Sequence, residues 1–179
     1  MRLGPSDTAR LRFRRLASRD LAELTRLHTD PAVMRWIGDP EPPRQVAAAL
    51  EEWSRPVDPR FGVWAAESAD GRFVGWYSLQ VAEPGVGVLG YRLQRAAWGR
   101  GLATEGSRAV CAWAFGGAGL RRVLAETYEH NLASRRVLEK LGMQLVRRFR
   151  LDPAALAGQP EWPGDEVAYE LGVEDWLGE

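Results

Sequence analysis

The segment Trp98-Gly99-Arg100-Gly101-Leu102-Ala103-Thr104 constrains this chain most, because it puts two glycines between a predicted strand and a predicted helix. The apolar run before it ends near Leu93, and a helix is predicted from about Ala103 to Phe115. The backbone N–H groups at a helix N-terminus converge and, with the helix dipole, favour an anion there. The turn therefore predicts either an ordinary strand-to-helix connection or a phosphate-binding site with the amides of residues 100–104 as donors.

Two familiar nucleotide-binding motifs do not fit this turn. A Walker A loop closes on Gly-Lys-Ser or Gly-Lys-Thr, and neither tripeptide is present after Gly101. The dinucleotide fingerprint asks for a third glycine or an alanine at a position that is Thr104 here. That fold also needs further parallel βαβ units, for which too little chain follows. If the turn binds a phosphate group, it therefore belongs to neither of these two classes of nucleotide-binding site.

Strand and helix patterns alternate along the rest of the chain. The alternating segment Leu11-Arg12-Phe13-Arg14 predicts a strand, and Ser18 then predicts the N-cap of a helix that ends before Pro31, with His28 expected to cap it or to face solvent. Asp70-Gly71 predicts a hairpin between two apolar runs. The other predicted elements are a helix from Arg44 to about Trp53, a strand from Val86 to Leu93, a strand from Val123 to Tyr128, a helix from Leu132 to Leu141, and strands from Gln144 to Leu151 and from Val167 to Val173.

These elements predict the class of fold. A mostly antiparallel meander feeds a βαβ unit, which makes the chain an α+β protein with a mixed sheet flanked by helices. A length of 179 residues suits a single domain spanning residues 1–179.

Composition narrows the class of partner. Lys plus Arg and Asp plus Glu are both 24, so the formal net charge is +0, and nucleic acid is not expected as a partner. No apolar run approaches the roughly 20 residues that span a bilayer, so no membrane is expected either. Cys111 is the single cysteine, which excludes an intrachain disulfide and a cysteine-built metal site, and its helical position predicts a buried thiol. We expect a cytoplasmic protein that needs no metal.

The turn and the strand before it resemble motif A of the GNAT N-acetyltransferase superfamily. The matching stretch is Leu89-Gly90-Tyr91-Arg92-Leu93 followed by residues 98–105. Gly101 and Ala103 stand where the motif has Gly and Gly or Ala, and Trp98 stands where Gln or Arg is commoner. The resemblance implies the GNAT fold and a turn, residues 98–104, that binds the pyrophosphate of acetyl-CoA.

Further segments resemble the RimJ/RimL-type branch of that superfamily, which acetylates protein N-termini. Residues 131–143 look like its Asn-x-x-Ser and Val-Leu-Glu-Lys-Leu-Gly signature, and residues 11–16 and 30–38 match in the same order. The resemblance implies transfer of the acetyl group of acetyl-CoA to a primary amine by direct attack in a ternary complex. The acceptor is a protein N-terminal α-amine or a small amine or antibiotic, and a CoA-binding module without turnover is a third reading.

The resemblance also implies roles for single residues. The backbone N–H of Tyr91 would face the thioester carbonyl, and Leu93 would pair with the pantetheine arm. Asn131 would contact pantetheine, and the Ser134 hydroxyl would protonate the leaving thiolate, although both residues also suit a helix cap. Independently of the resemblance, the cationic cluster Arg135, Arg136 and Lys140 on the predicted helix is either a solvated face or lets Arg136 or Lys140 reach a CoA phosphate. We expect the protein to be a monomer or a homodimer.

The general base is the least defined part of the site. Gly87 and Val88 occupy the strand where many relatives have a glutamate, which leaves Glu126, with Asp165 and Glu166 as further carboxylates. An α-amine with a pKa of about 7.7–8.0 is neutral in roughly one molecule in six to eleven at pH 7, whereas a lysine with a pKa of about 10.4 is neutral in roughly one in 2,500. An α-amine acceptor therefore needs less help from a base.

Overall fold

The computed structural model describes residues 3–150 and 165–177, and within them the strands form one mixed sheet in the order β1-β2-β3-β4-β5-β7-β6. Neighbouring strands are antiparallel, with the exception of β4 and β5, which pair in parallel. The predicted α+β class and mixed sheet are thereby confirmed. The strands are β1 (Leu11–Arg15), β2 (Gly62–Ser68), β3 (Phe73–Glu83), β4 (Val86–Leu93), β5 (Arg122–Tyr128), β6 (Gln144–Phe149) and β7 (Glu166–Gly172).

Helices cover both faces of this sheet. In β2, Val63 packs in a cluster with Leu24 and Val46, whereas its neighbour Trp64 packs in the larger core with Val110. Successive residues of a strand point to opposite faces, so we name the two faces the α1 face and the α4 face. The helices are α1 (Leu21–Thr29), α2 (Pro31–Met34), α3 (Pro43–Trp53), α4 (Leu102–Gly116), α5 (Leu132–Lys140) and α6 (Val173–Leu177).

The start of α1 differs from the prediction. Ser18 does not cap the helix, because residues 18–20 form a short 3-10 turn and α1 begins at Leu21. Asp20 is buried there, and its carboxylate accepts hydrogen bonds from the Arg14 guanidinium at 2.6 and 2.7 Å and from the Ala17 N–H at 2.8 Å. An ion pair with β1 therefore organises this helix start in place of a hydroxyl cap.

Two predicted boundaries near the C-terminus also shift. Strand β6 ends at Phe149, and Leu151, where the prediction ended it, lies outside the described residues. Strand β7 ends at Gly172, because Val173 begins α6 rather than continuing the strand.

The N-terminal end of α4 is fixed directly to the sheet. Gly106 lies against Tyr77 of β3 so closely that a Cβ atom there would overlap the ring. The Tyr77 hydroxyl donates a hydrogen bond to the carbonyl of Leu102 at 2.7 Å. This packing sets where the first turn of α4, and hence the glycine turn before it, lies relative to β4.

Candidate active site

Strands β4 and β5 separate shortly after they meet. They pair only over Val86–Val88 and Arg122–Leu124, and beyond that β4 stays with β3 while β5 stays with β7. The halves that carry Tyr91 and Tyr128 therefore border an opening in the sheet. Backbone donors and acceptors along such an opening are not all used by a strand partner, so an extended ligand can bind between the strands.

A cavity of about 740 Å³ lies at this opening. Residues from β4, β5, the glycine turn, the first turn of α4, α5 and the segment after α2 share its wall. Arg100 is not in the wall, and its carbonyl instead accepts a hydrogen bond from Arg10 Nη1 at 2.8 Å. The predicted site residues found in the wall are Tyr91, Leu93, Trp98, Gly99, Gly101, Leu102, Ala103, Thr104, Glu126, Asn131, Ser134 and Arg136.

The glycine turn combines two left-handed glycines with an uncapped helix start. Gly99 and Gly101 have φ values of 69° and 77°, in the left-handed region that favours glycine. Gly101 is the N-cap of α4 and no side chain caps this helix start, so its first N–H groups keep their hydrogen-bonding capacity. The Trp98 indole N–H donates to the Leu93 carbonyl at 2.9 Å, which ties the turn back to β4.

The charges around this helix start favour phosphate. Glu105, in the first turn of α4, would repel an anion, but its carboxylate is neutralised by Arg10 at 2.5 Å and accepts a hydrogen bond from Thr8 at 2.5 Å. Arg136 and Lys140 of α5 stand in the cavity wall. No sequence pattern predicts the Arg10–Glu105 pair, because 95 residues separate its members.

Asn131 is an N-cap, as one of its two predicted roles requires. Its Oδ1 accepts a hydrogen bond from the Ser134 N–H at 3.2 Å at the start of α5. We expect Asn131→Ala to lower the free energy of unfolding by about 1 kcal/mol and the Tm by about 2–4 °C. Thermal unfolding with Asn131→Ser as the matched control tests this, since serine keeps a cap acceptor. Equal Tm values for the alanine variant and the wild type would contradict the cap.

Tyr91 and Ser134 form a hydroxyl pair beside the opening. Tyr91 Oη lies 2.9 Å from Ser134 Oγ, and burial raises the pKa of Tyr91 to about 12. The tyrosine therefore stays protonated at neutral pH and can donate to Ser134. The sequence pattern predicts a role only for the backbone of Tyr91, because the contact between the two hydroxyl groups joins β4 to α5 and depends on their packing.

The α1 face contributes a different set of side chains to the same cavity. Trp36 stacks on Tyr128 with ring centroids 5.4 Å apart at 30°, and Glu126 and Glu166 stand in the wall nearby. Glu126 pairs with Arg147 at 3.6 Å, and its side chain is 48% exposed. The cavity thus joins a cationic region on the α4 face to an aromatic and acidic region on the α1 face.

His28 is buried, contrary to the expectation that it caps α1 or faces solvent. Its Nε2 accepts a hydrogen bond from the Trp76 indole N–H at 3.1 Å, so Nδ1 carries the proton and donates to Glu41 at 2.9 Å. Arg92 donates to the same carboxylate at 3.1 Å. Burial, followed by the charge of Arg92, lowers the pKa of His28, which keeps the ring neutral. This network holds Trp76 and Arg92 in the cavity wall.

Cys111 takes no part in the site. It is 0% exposed, and burial raises the pKa of its thiol to about 12. We expect the folded protein not to react with the thiol reagent DTNB over an hour at pH 7.5, and the urea-unfolded protein to release one equivalent. Rapid labelling of the folded protein would contradict the burial. The outcome also matters in practice, because DTNB would then report only thiol released from a substrate.

The described part of the chain contains neither a candidate metal site nor a helix that could span a membrane. No group of three or more His, Cys, Asp and Glu side chains in residues 3–150 and 165–177 is placed to hold a metal ion. The helices of these same segments are all too short or too polar to cross a bilayer.

Comparison with known proteins identifies the family. Residues 10–144 match the sequence model of the acetyltransferase (GNAT) domain. The chain is 30% identical to FsC-acetyl coenzyme A-N(2)-transacetylase of Aspergillus fumigatus, in an alignment that covers 95% of this chain and 77% of that protein.

Solved structures share the fold. An acetyltransferase of the GNAT family from Bacillus anthracis has a TM-score of 0.82 at 20% identity, over 94% of this chain and 98% of that one. Spermidine N-acetyltransferase from Vibrio cholerae, solved with CoA and spermine, has a TM-score of 0.80 at 14% identity, over 95% of this chain and 99% of that one. The fold and the sequence match agree that this chain belongs to the GNAT family and is an acetyl-CoA-dependent N-acetyltransferase.

Proposed function

We propose that this enzyme acetylates the α-amine of a protein or peptide N-terminus, by direct attack of the amine on acetyl-CoA in a ternary complex, as in the RimJ/RimL-type branch. One observation carries the ternary complex: side chains from both faces of the sheet line one cavity at the point where β4 and β5 separate. The donor and the acceptor can therefore approach each other through the sheet. No covalent acetyl-enzyme is needed, and the buried Cys111 offers none.

The donor would occupy the α4 face. In this proposal the amides of residues 99–104 bind the pyrophosphate, assisted by Arg136, and Asn131 and Leu93 flank the pantetheine arm. The fit rests on the uncapped helix start, the left-handed glycines and the cations in the wall. The thioester would then lie between Tyr91 and Ser134.

The acetyl transfer itself needs two kinds of help. The Tyr91 backbone N–H would stabilise negative charge on the thioester oxygen, and the Ser134 hydroxyl, hydrogen-bonded to Tyr91 Oη, would supply a proton to the leaving sulfur. Glu126, the base that the sequence suggests, stands in the wall but is paired with Arg147.

A small amine is the second candidate acceptor. It is favoured by the name of the Aspergillus relative, a transacetylase acting at an N(2) nitrogen, and by the spermidine acetylated by the Vibrio enzyme of the same fold. The aromatic wall formed by Trp36 and Tyr128 would bind the apolar part of such a molecule. We also propose that the enzyme works in the cytoplasm as a monomer or a homodimer.

The acceptor class can be tested with matched amines. We expect release of CoA from acetyl-CoA with a lysine-free peptide that has a free N-terminus, and none with the same peptide N-acetylated. A peptide with a blocked N-terminus and one lysine, and spermidine, complete the panel, and mass spectrometry locates the acetyl group. Acetylation of spermidine alone would replace the first candidate with the second.

A further inference from the structure

Glu166 is an unusual carboxylate in the wall of the cavity. It is the first residue of β7 and is half-buried. Within the described part of the chain its carboxylate has no hydrogen-bond or ion-pair partner, whereas Glu126, the other acidic residue of the wall, is held by Arg147. A half-buried carboxylate without a cation loses hydration without compensation, so its presence in a cavity points to a ligand or a chemical task.

The strand register places Glu166 on the α1 face. Glu166 pairs with Tyr128 across β5 and β7, and cross-strand partners share a face of the sheet. Tyr128 stacks on Trp36, which follows α2. Glu166 therefore lies on the side opposite the glycine turn, where an acceptor would approach the opening.

The surroundings of Glu166 make its carboxylate a stronger base. Burial, and next the negative charge of Glu126, raise the pKa of Glu166. The nearby cations are engaged elsewhere and do not reverse this shift. Each charged group on the neighbouring elements is engaged elsewhere. Glu126 on β5 pairs with Arg147 on β6, and Arg148 on β6 pairs with Glu129 at 3.0 Å. Arg122, at the far end of β5, pairs with Glu83 and Glu170. Arg35 after α2 lies 4.5 Å over the Trp36 ring, and Asp165 and Arg150 pair at 3.4 Å beside the start of β7.

We propose that Glu166 is the catalytic base, which receives the acceptor's ammonium group and takes one proton from it. The inference rests on the proposed function, since it deepens the account of the acceptor side. Glu126 remains paired with Arg147. Its negative charge disfavours the ionised form of Glu166 and so makes the Glu166 carboxylate a stronger base.

The proposed step conserves atoms and charge. One N–H bond of the ammonium breaks and its proton goes to a Glu166 carboxylate oxygen. The neutral nitrogen then forms a C–N bond to the acetyl carbon, and the C–S bond of acetyl-CoA breaks. The nitrogen then loses its second proton to solvent. Ser134 gives its proton to the sulfur and takes one back from solvent, and Glu166 returns its proton to solvent. The net products are the amide, CoA and one proton.

Two aromatic amines of nearly the same shape test this role. 2-Phenylethylamine is protonated at pH 7, whereas O-benzylhydroxylamine is neutral and needs no base. We expect Glu166→Gln to lower kcat/KM for 2-phenylethylamine by at least about 100-fold, the lower end of general-base effects, and for O-benzylhydroxylamine by no more than about threefold. Glu170→Gln is the matched control, because Glu170 lies on the same strand, pairs with Arg122 and stands outside the cavity wall.

A second measurement does not depend on turnover. In protein labelled with ¹³C at the glutamate carboxyl carbons, the Glu166 signal is identified by its loss in Glu166→Gln. We expect its titration midpoint to lie above the ordinary glutamate range and to fall when 2-phenylethylamine binds, because a nearby ammonium favours the carboxylate. O-Benzylhydroxylamine should leave the midpoint in place.

The possible results distinguish failure of the Glu166 proposal from failure of the proposed function. Equal losses with both amines in Glu166→Gln would show a structural role and overturn the proposal, as would a selective loss in Glu126→Gln alone. A midpoint in the ordinary range that ignores 2-phenylethylamine would overturn it as well. If wild-type enzyme released no CoA with any amine while the Glu166 signal responded as expected, the proposed function would fail and the ammonium-binding carboxylate would stand.

Discussion

Replacing Gly101 with valine is expected to raise the dissociation constant of acetyl-CoA by at least about 100-fold, or about 2.7 kcal/mol, while the protein still folds. Gly101 has a φ of 77°, which a β-branched residue adopts only under strain, so the first amides of α4 should turn away from the pyrophosphate. Each charge-assisted hydrogen bond lost costs roughly 1.5–3 kcal/mol. A Cβ atom at this position meets only Arg10 Nη2 at 3.5 Å, so the fold has room for it.

Gly71→Val is the matched control for this variant. Gly71 has a φ of 79° in the β2–β3 hairpin, and no atom lies within 4 Å of its Cβ position. The two variants should lose similar stability in thermal unfolding, and calorimetry should show weak acetyl-CoA binding for Gly101→Val alone. Normal affinity in Gly101→Val would show that the glycine turn is not the pyrophosphate site.

Ser134→Ala is expected to lower kcat by about 100-fold and to change the dissociation constant of acetyl-CoA by no more than about threefold. The Ser134 hydroxyl lies 2.9 Å from the Tyr91 hydroxyl, and loss of a general acid typically lowers the rate by about 10²–10⁴-fold. The Ser134 N–H keeps its hydrogen bond to Asn131 in the alanine variant, so the helix cap survives. Steady-state kinetics and calorimetry measure the two effects separately.

Tyr91→Phe is the companion variant. It removes the hydroxyl that can donate to Ser134 but keeps the backbone N–H and the ring, so we expect a loss in kcat of about tenfold, smaller than that of Ser134→Ala. An unchanged kcat in Ser134→Ala would show that the thiolate leaves without help from this pair. A larger loss in Tyr91→Phe than in Ser134→Ala would make the tyrosine the direct proton donor.

The fold could be predicted largely because its signals are local. The Asp70-Gly71 turn and the apolar runs beside it are contained in a few residues, and β2 and β3 pair as they predict. The prediction that Ser18 caps the helix is wrong because the contact that replaces this cap, Arg14 with Asp20, depends on how β1 packs against α1. The sequence pattern of one element does not predict which charged side chain of another element will contact it.

In the candidate site, too, the parts with local sequence patterns are predictable and the parts that depend on long-range packing are not. The glycine turn and the Asn131–Ser134 cap are short local patterns, and both lie in the cavity wall. The sequence does not distinguish Glu166 from the other candidate carboxylates. The strand order distinguishes it, because β7 lies between β5 and β6 and brings Glu166 beside Tyr128. That order is a long-range property, because it is decided by the packing of the whole sheet.

A crystal structure with acetyl-CoA tests the central claim most directly. We predict pyrophosphate oxygens within hydrogen-bonding distance of the backbone N–H groups of residues 99–104, the pantetheine arm in the opening between β4 and β5, and the thioester sulfur beside Ser134. Acetyl-CoA bound elsewhere on the protein, or bound with its pyrophosphate away from this turn, would contradict the account.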